Sequence, residues 1–229
     1  MYKFILCALM LIFGMMSHMN TYAAAKTLPE IYVNFVFATD HKDAQAFDTR
    51  EQAVKELNIL NRYFVTEKGK PIFHFKLKKY MSFKEFSEAE CKFLDLLSRK
   101  QSVKSKEAAS AFNQCFPHEP RTIYMFVYDA YSPKKGWADI TSWGFNNQGH
   151  PFILIDWERL NYNKQAAVPH EMGHAFGLKH ECAPKATIKD STNIMTSADC
   201  GLGSGGKRNI GFNTQQLKTI QQKFLGLKR

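Results

Sequence analysis

Apolar and β-branched residues run almost without interruption from Ile31 to Ala38, from Arg121 to Tyr128 and from Phe152 to Ile155. The first run predicts an opening strand, and the other two, nearly continuous in β-formers, predict buried strands. Ile72 to Leu77, entered through the break at Gly69-Lys70-Pro71, predicts another strand. Ala138 to Phe145 is more polar and lies between glycines, which predicts an edge strand. Residues 43–64 carry Ala46, Phe47, Val54, Leu57, Leu60, Tyr63 and Phe64 at near-helical spacing, so one amphipathic helix is expected there. Residues 83–115 contain neither Pro nor Gly and read as one bent helix or two. After a loop with Pro184, Gly201, Gly203, Gly205 and Gly206, Thr214 to Leu225 resumes helical spacing at Leu217, Ile220, Phe224 and Leu225. Strands alternating with helices predict an α/β sandwich around a mixed, mostly parallel sheet.

The amino-terminal residues stand outside that pattern. Lys3 precedes an apolar run from Phe4 to Met16, a polar stretch follows, and Ala23-Ala24-Ala25 offers a small-residue cleavage site. The run is shorter than the roughly 20 residues that span a bilayer, so residues 1–25 read as a signal peptide cleaved after Ala25, not as an anchor. The expected destination is outside the cytoplasm, either periplasmic or extracellular. Residues 26–229 then form one domain, because a chain of 229 residues with 45% hydrophobic and 14% aromatic content sustains one sizeable core. No later stretch is long and apolar enough to span, and a monomer is expected.

Loss of Lys3 with the leader lowers the formal charge from +10 to +9. A basic surface suits an anionic partner such as a cell envelope, an acidic protein or nucleic acid. Lys76, Lys78 and Lys79 form no aromatic-interleaved motif, however, and read equally well as a solvated face.

With Cys7 removed, four cysteines remain: Cys91, Cys115, Cys182 and Cys200. An even number in an exported chain predicts two disulfides. Three pairings are open, of which Cys91–Cys115 with Cys182–Cys200 closes two local loops worth roughly 3 kcal/mol each. Zinc ligation by these thiolates is disfavoured because no CxxC spacing occurs.

The chemistry concentrates in His170-Glu171-Met172-Gly173-His174-Ala175-Phe176-Gly177-Leu178-Lys179-His180, the pattern HExxHxxGxxH. Residues four apart share a helix face, so His170 and His174 can aim their imidazoles at one ion, with Glu171 one step round. A continuing helix cannot deliver His180 to the same point. Gly177 tolerates the left-handed conformation that ends a helix and lets the chain swing back. Three neutral imidazoles leave a fourth position for water, the arrangement of a catalytic zinc site. Chance production of these five fixed residues is about one in three million per position.

This segment resembles, without a gap, the long zinc signature of the metzincin clan of zinc endopeptidases. The resemblance implies a metzincin-like single catalytic domain with a twisted sheet, an antiparallel edge strand, an active-site helix and a C-terminal helix. It implies Zn2+ as cofactor, a protein or peptide substrate, and peptide-bond hydrolysis by a zinc-activated water whose proton Glu171 takes. It also implies a Met-turn at Asn193-Ile194-Met195-Thr196, with Met195 beneath the metal, and an edge strand, Ala138 to Phe145, that pairs with extended substrate. Glu181 matches the astacin family, but Thr196 and the absence of any Tyr beyond Tyr162 depart from it. A matrixin-like or unassigned bacterial-type metzincin fits better.

Other expectations follow. Pro169 removes a helix donor, so the helix either begins close to His170 or bends there. No inhibitory prosegment fits between Ala25 and the first strand. Substrate-binding residues are not assigned, although Lys207 and Arg208 either favour an acidic substrate side chain or are two solvated loop charges. Two rival functions stand beside the zinc metalloendopeptidase: a non-enzymatic, zinc-stabilised basic binding protein, and a hydrolase of non-peptide amides.

Overall fold

The computed structural model describes residues 27–97, 105–132, 137–138, 142–161, 163–197 and 205–227. The expected signal peptide, Cys7, Tyr162 and Cys200 lie outside the described residues.

Strand β1 (Glu30–Phe37) sends Ile31, Val33, Phe35 and Phe37 into one core and Val36 into another. A 3-10 turn over Lys42–Phe47 and helix α1 (Arg50–Tyr63) follow, so the single helix expected over 43–64 is in fact two pieces. The break has a cause. Asp48 is recruited by the Tyr80 hydroxyl at 2.5 Å and the Phe83 N–H at 3.0 Å, while the Thr49 side chain caps α1 by accepting from the Gln52 N–H. Strand β2 (His74–Met81) starts later and runs further than the expected Ile72 to Leu77 because its pairing with β1 continues to Val36↔Met81.

Three short helices, α2 (Phe83–Ser87), α3 (Lys92–Leu97) and α4 (Ser105–Cys115), replace the one or two expected over 83–115. Ser82 opens α2 with a capping box, and Glu90, at φ 48°, turns the chain before α3. Strand β3 (Thr122–Tyr128) is buried throughout. Strands β4 (Tyr131–Ser132) and β5 (Trp137–Ala138) form a small antiparallel ribbon, and β6 (Trp143–Phe145) pairs antiparallel with β7 (Phe152–Asp156). Of the edge strand expected from Ala138 to Phe145, the last three residues form β6, Ala138 pairs with Tyr131 in the separate ribbon, and residues 139–141 lie outside the described residues.

Helix α5 (Asn163–Ala175) contains Pro169 in its interior, so of the two alternatives expected there a start close to His170 is excluded and the helix begins at Asn163. The lost hydrogen bond is offset by burial of Val168 and Met172 in the core against the sheet. The ribbon β8 (Glu181–Cys182) with β9 (Thr196–Ser197) and helix α6 (Thr214–Gly226) complete the chain.

The sheet order is β2-β1-β3-β7-β6, with β6 alone antiparallel, giving the mixed, mostly parallel α/β sheet that the sequence predicts. One face packs under α1, α5 and α6 through residues such as Leu57, Met172 and Ile220. The other is covered by α2, α3 and α4 through Phe86, Phe93 and Phe112. Cys91 and Cys115 are joined across this second layer, and Cys182 is also disulfide-bonded. Lys76 and Lys78 are ion-paired with Glu30 and Glu119, so these β2 lysines are not wholly unpartnered charge. Among the described residues no helix is long and apolar enough to cross a membrane.

Candidate metal centre

Helix α5 carries His170 and His174 one turn apart and ends immediately afterwards. The Gly177 N–H donates to the His174 carbonyl at 2.7 Å and the Leu178 N–H to the Gly173 carbonyl at 3.0 Å, with Gly177 at φ +80°. This left-handed closure is the reversal expected of Gly177, and it brings His180 back toward the helix.

The three rings converge. Nε2 of His170 lies 3.2 Å from Nε2 of His174 and 3.3 Å from Nε2 of His180. The Nδ1 atoms of His170 and His174 face the carbonyl oxygens of Ile194 and Leu178 at 2.7 and 2.8 Å. A carbonyl only accepts, so both Nδ1 atoms carry hydrogen and both Nε2 atoms present lone pairs to one another. Lone pairs at this distance repel unless a cation lies between them. A tetrahedral ion with metal–nitrogen bonds of roughly 2.0–2.1 Å sets its ligand nitrogens about 3.3 Å apart, which is the spacing found here. The trio can therefore hold a metal ion.

Electrostatics favour neutral ligands. Burial first, and then the Arg208 charge, hold His170 well below the ordinary imidazole range. Burial likewise lowers His174. His180 is exposed, so the cluster is open on one side and covered on the other.

Glu171 is 4% exposed. Burial pushes its carboxyl up to about 8, against the pull of Arg159, Arg208 and the Gly144 N–H. A cation among the imidazoles opposes that rise. The Gly144 N–H belongs to β6, which lies hard against α5: a Cβ at Gly144 would stand 1.9 Å from the Glu171 carbonyl oxygen.

Met195 is fully buried in a tight turn, its N–H donating to Asn193 Oδ1 at 2.8 Å, and its sulfur lies beneath α5 at Gly173. Lys207 is exposed, as a solvated charge would be, but Arg208 is buried at 8% exposure and acts on His170, Glu171 and His174. The solvated reading therefore fails for Arg208. The Arg208 N–H donates to Thr192 Oγ1, which places it alongside the segment that supports His170.

The motif reading missed the polar residues behind the ligands. Asn193, Asn213 and Gln216 form a connected set with Glu181. Their only sequence signal was the Asn213-to-Gln216 capping spacing at the start of α6. Arg159, three residues beyond β7, gave no signal at all. Comparison with protein-family models finds none that matches the chain, and comparison with curated proteins finds no match either.

Proposed function

We propose that the protein is an exported zinc-dependent endopeptidase, a hydrolase of the metzincin type, in which His170, His174 and His180 bind zinc and Glu171 handles the proton. The observation that carries this reading is the convergence of Nε2 atoms at 3.2 and 3.3 Å with the rings of His170 and His174 oriented by backbone carbonyls. Zinc bound there supplies a Lewis acid for a peptide carbonyl and acidifies water. Glu171 accepts a proton from water and returns it to the departing amine nitrogen. Glu171 adjoins His170 on the ligand helix, the position from which a carboxylate can take a proton from water and pass it on. Met195 acts as the Met-turn residue, giving the ligand helix an apolar floor. Strand β6 offers its outer edge to an extended peptide, aligning the scissile bond over the histidines.

Metal analysis and proteolysis test the proposal together. Purified protein should contain one equivalent of zinc and cleave a denatured protein, and a chelator should stop cleavage. Glu171→Gln should retain zinc and lose turnover. Zinc bound tightly without any cleavage would favour the zinc-stabilised binding protein, and cleavage insensitive to chelator would defeat the metal mechanism.

A further inference from the structure

Two of the three ligands are aimed by groups that meet at a single side chain. Gln216, on the first turn of α6, is 7% exposed and uses every hydrogen-bonding position it has. Its Oε1 accepts from the Asn213 N–H at 2.9 Å and from Asn193 Nδ2 at 3.0 Å. Its Nε2 donates to Glu181 Oε1 at 3.0 Å and to Asn193 Oδ1 at 3.2 Å.

The contacts to Asn193 and Glu181 each lead to the segment carrying or orienting a ligand. Asn193 Oδ1 also accepts from the Met195 N–H at 2.8 Å, and its Nδ2 donates to the Gly211 carbonyl, so the amide is pinned at both ends. That pinning fixes the direction of the Ile194 carbonyl, which receives His170 Nδ1 at 2.7 Å. On the other arm, Glu181 follows His180 directly. Its N–H donates to the Met195 carbonyl at 2.8 Å and its carboxylate also accepts from Asn213 Nδ2 at 2.5 Å. His174 stands apart, because its carbonyl partner, Leu178, lies in the helix-ending turn.

We propose that Gln216 is a positioning residue for the metal site, locking the turn that orients His170 to the segment that carries His180. The inference rests on the reading of the three histidines as a metal centre. A structural role in capping α6 would be served by the Asn213 side chain alone, which already accepts the Gln216 N–H at 2.9 Å. The contacts to Asn193 and Glu181 are what capping does not require. Gln216→Glu sets a carboxylate oxygen against Glu181 and against Asn193 Oδ1, acceptor facing acceptor, while keeping size and shape. The charge-preserving double change Glu181→Gln with Gln216→Glu restores a donor between the two positions.

The test compares wild type, Gln216→Glu, the double variant and Leu217→Ala, a truncation on the same turn that packs against the core without entering the network. Zinc affinity is measured by chelator competition, well below the melting temperature of each metal-free protein, together with the visible spectrum of the Co2+ form. Gln216→Glu should bind zinc about 10- to 100-fold more weakly and shift the Co2+ bands, the scale on which groups supporting metal ligands act. The double variant should recover much of the loss, and Leu217→Ala should lower the melting temperature with affinity and spectrum unchanged. Wild-type affinity in Gln216→Glu, or an equal loss in Leu217→Ala, overturns the proposal while leaving the metal centre intact. A wild-type protein that takes up neither ion overturns the metal centre and this inference with it.

Discussion

Glu56 offers a sharp test of the energetics on the sheet face that carries the histidine-bearing helix α5. Its side chain is wholly buried on α1, where Oε1 accepts from Gln52 Nε2 at 2.7 Å and from the Asn161 N–H at 2.6 Å, while Oε2 has no hydrogen-bond partner. Burial pushes the carboxyl from its ordinary 4.5 up to about 7, with the two hydrogen bonds pulling the other way. The folded protein therefore holds this proton more tightly than the unfolded chain. The sign follows: the contribution to stability is fully present below 4.5, declines as pH rises, and is lost above about 7. A shift of this size corresponds to about 3 kcal/mol. Glu56→Gln keeps the Oε1 acceptor and cannot ionise, so its stability should not carry this decline. Its buried amide donor lacks an acceptor, which costs about 1 kcal/mol at every pH. The variant should be slightly less stable than wild type near pH 4.5 and about 2 kcal/mol more stable near pH 8. Urea unfolding at a series of pH values measures the difference, in which other titrating groups cancel. Parallel stability curves for the two proteins across that range would refute the reasoning.

Three more outcomes follow from the geometry. Gly144→Ala drives a methyl into the Glu171 carbonyl and within 2.6 Å of His174 Cβ, so β6 must lift from α5 at a cost of about 3 kcal/mol, read as a lower denaturation midpoint; an unchanged midpoint would show that the two elements are not in contact. Gly177→Ala should cost about 1–2 kcal/mol through its left-handed backbone, and Gly177→Asn distinctly less, since the nearest side chain, Lys223, can move aside; equal losses in the two variants would point to space rather than backbone conformation. Cys91→Ser with Cys115→Ser should lower stability by about 3 kcal/mol and leave zinc affinity untouched, because that bridge lies in the layer across the sheet from the histidines; a loss of affinity would contradict that separation.

The sheet was legible because β1, β3 and β7 are buried on both faces, and such strands announce themselves as unbroken apolar runs. The ligand helix and its reversal were legible for a different reason: the spacing of His170, His174, Gly177 and His180 is set by helical geometry within one short stretch. What sequence reading misjudged depended on distant partners. Asp48 leaves a helical run because Tyr80 and Phe83 claim it, and α5 passes through Pro169 because its neighbours bury apolar surface. Arg208 could be read as a solvated loop charge because nothing near it in the chain reveals that it is buried within electrostatic reach of His170. Long-range polar contacts of this kind leave no periodicity.

The order of synthesis gives the placement of Gln216 a further meaning. His170, His174 and His180 all emerge from the ribosome before Asn193, and Asn193 before the helix that carries Gln216. A growing chain thus exposes its imidazoles before Asn193 and Gln216 are free to fold against that segment. On the proposed metal-centre reading, tight ion capture is a property of the finished polypeptide, and loading belongs to the compartment in which that polypeptide folds.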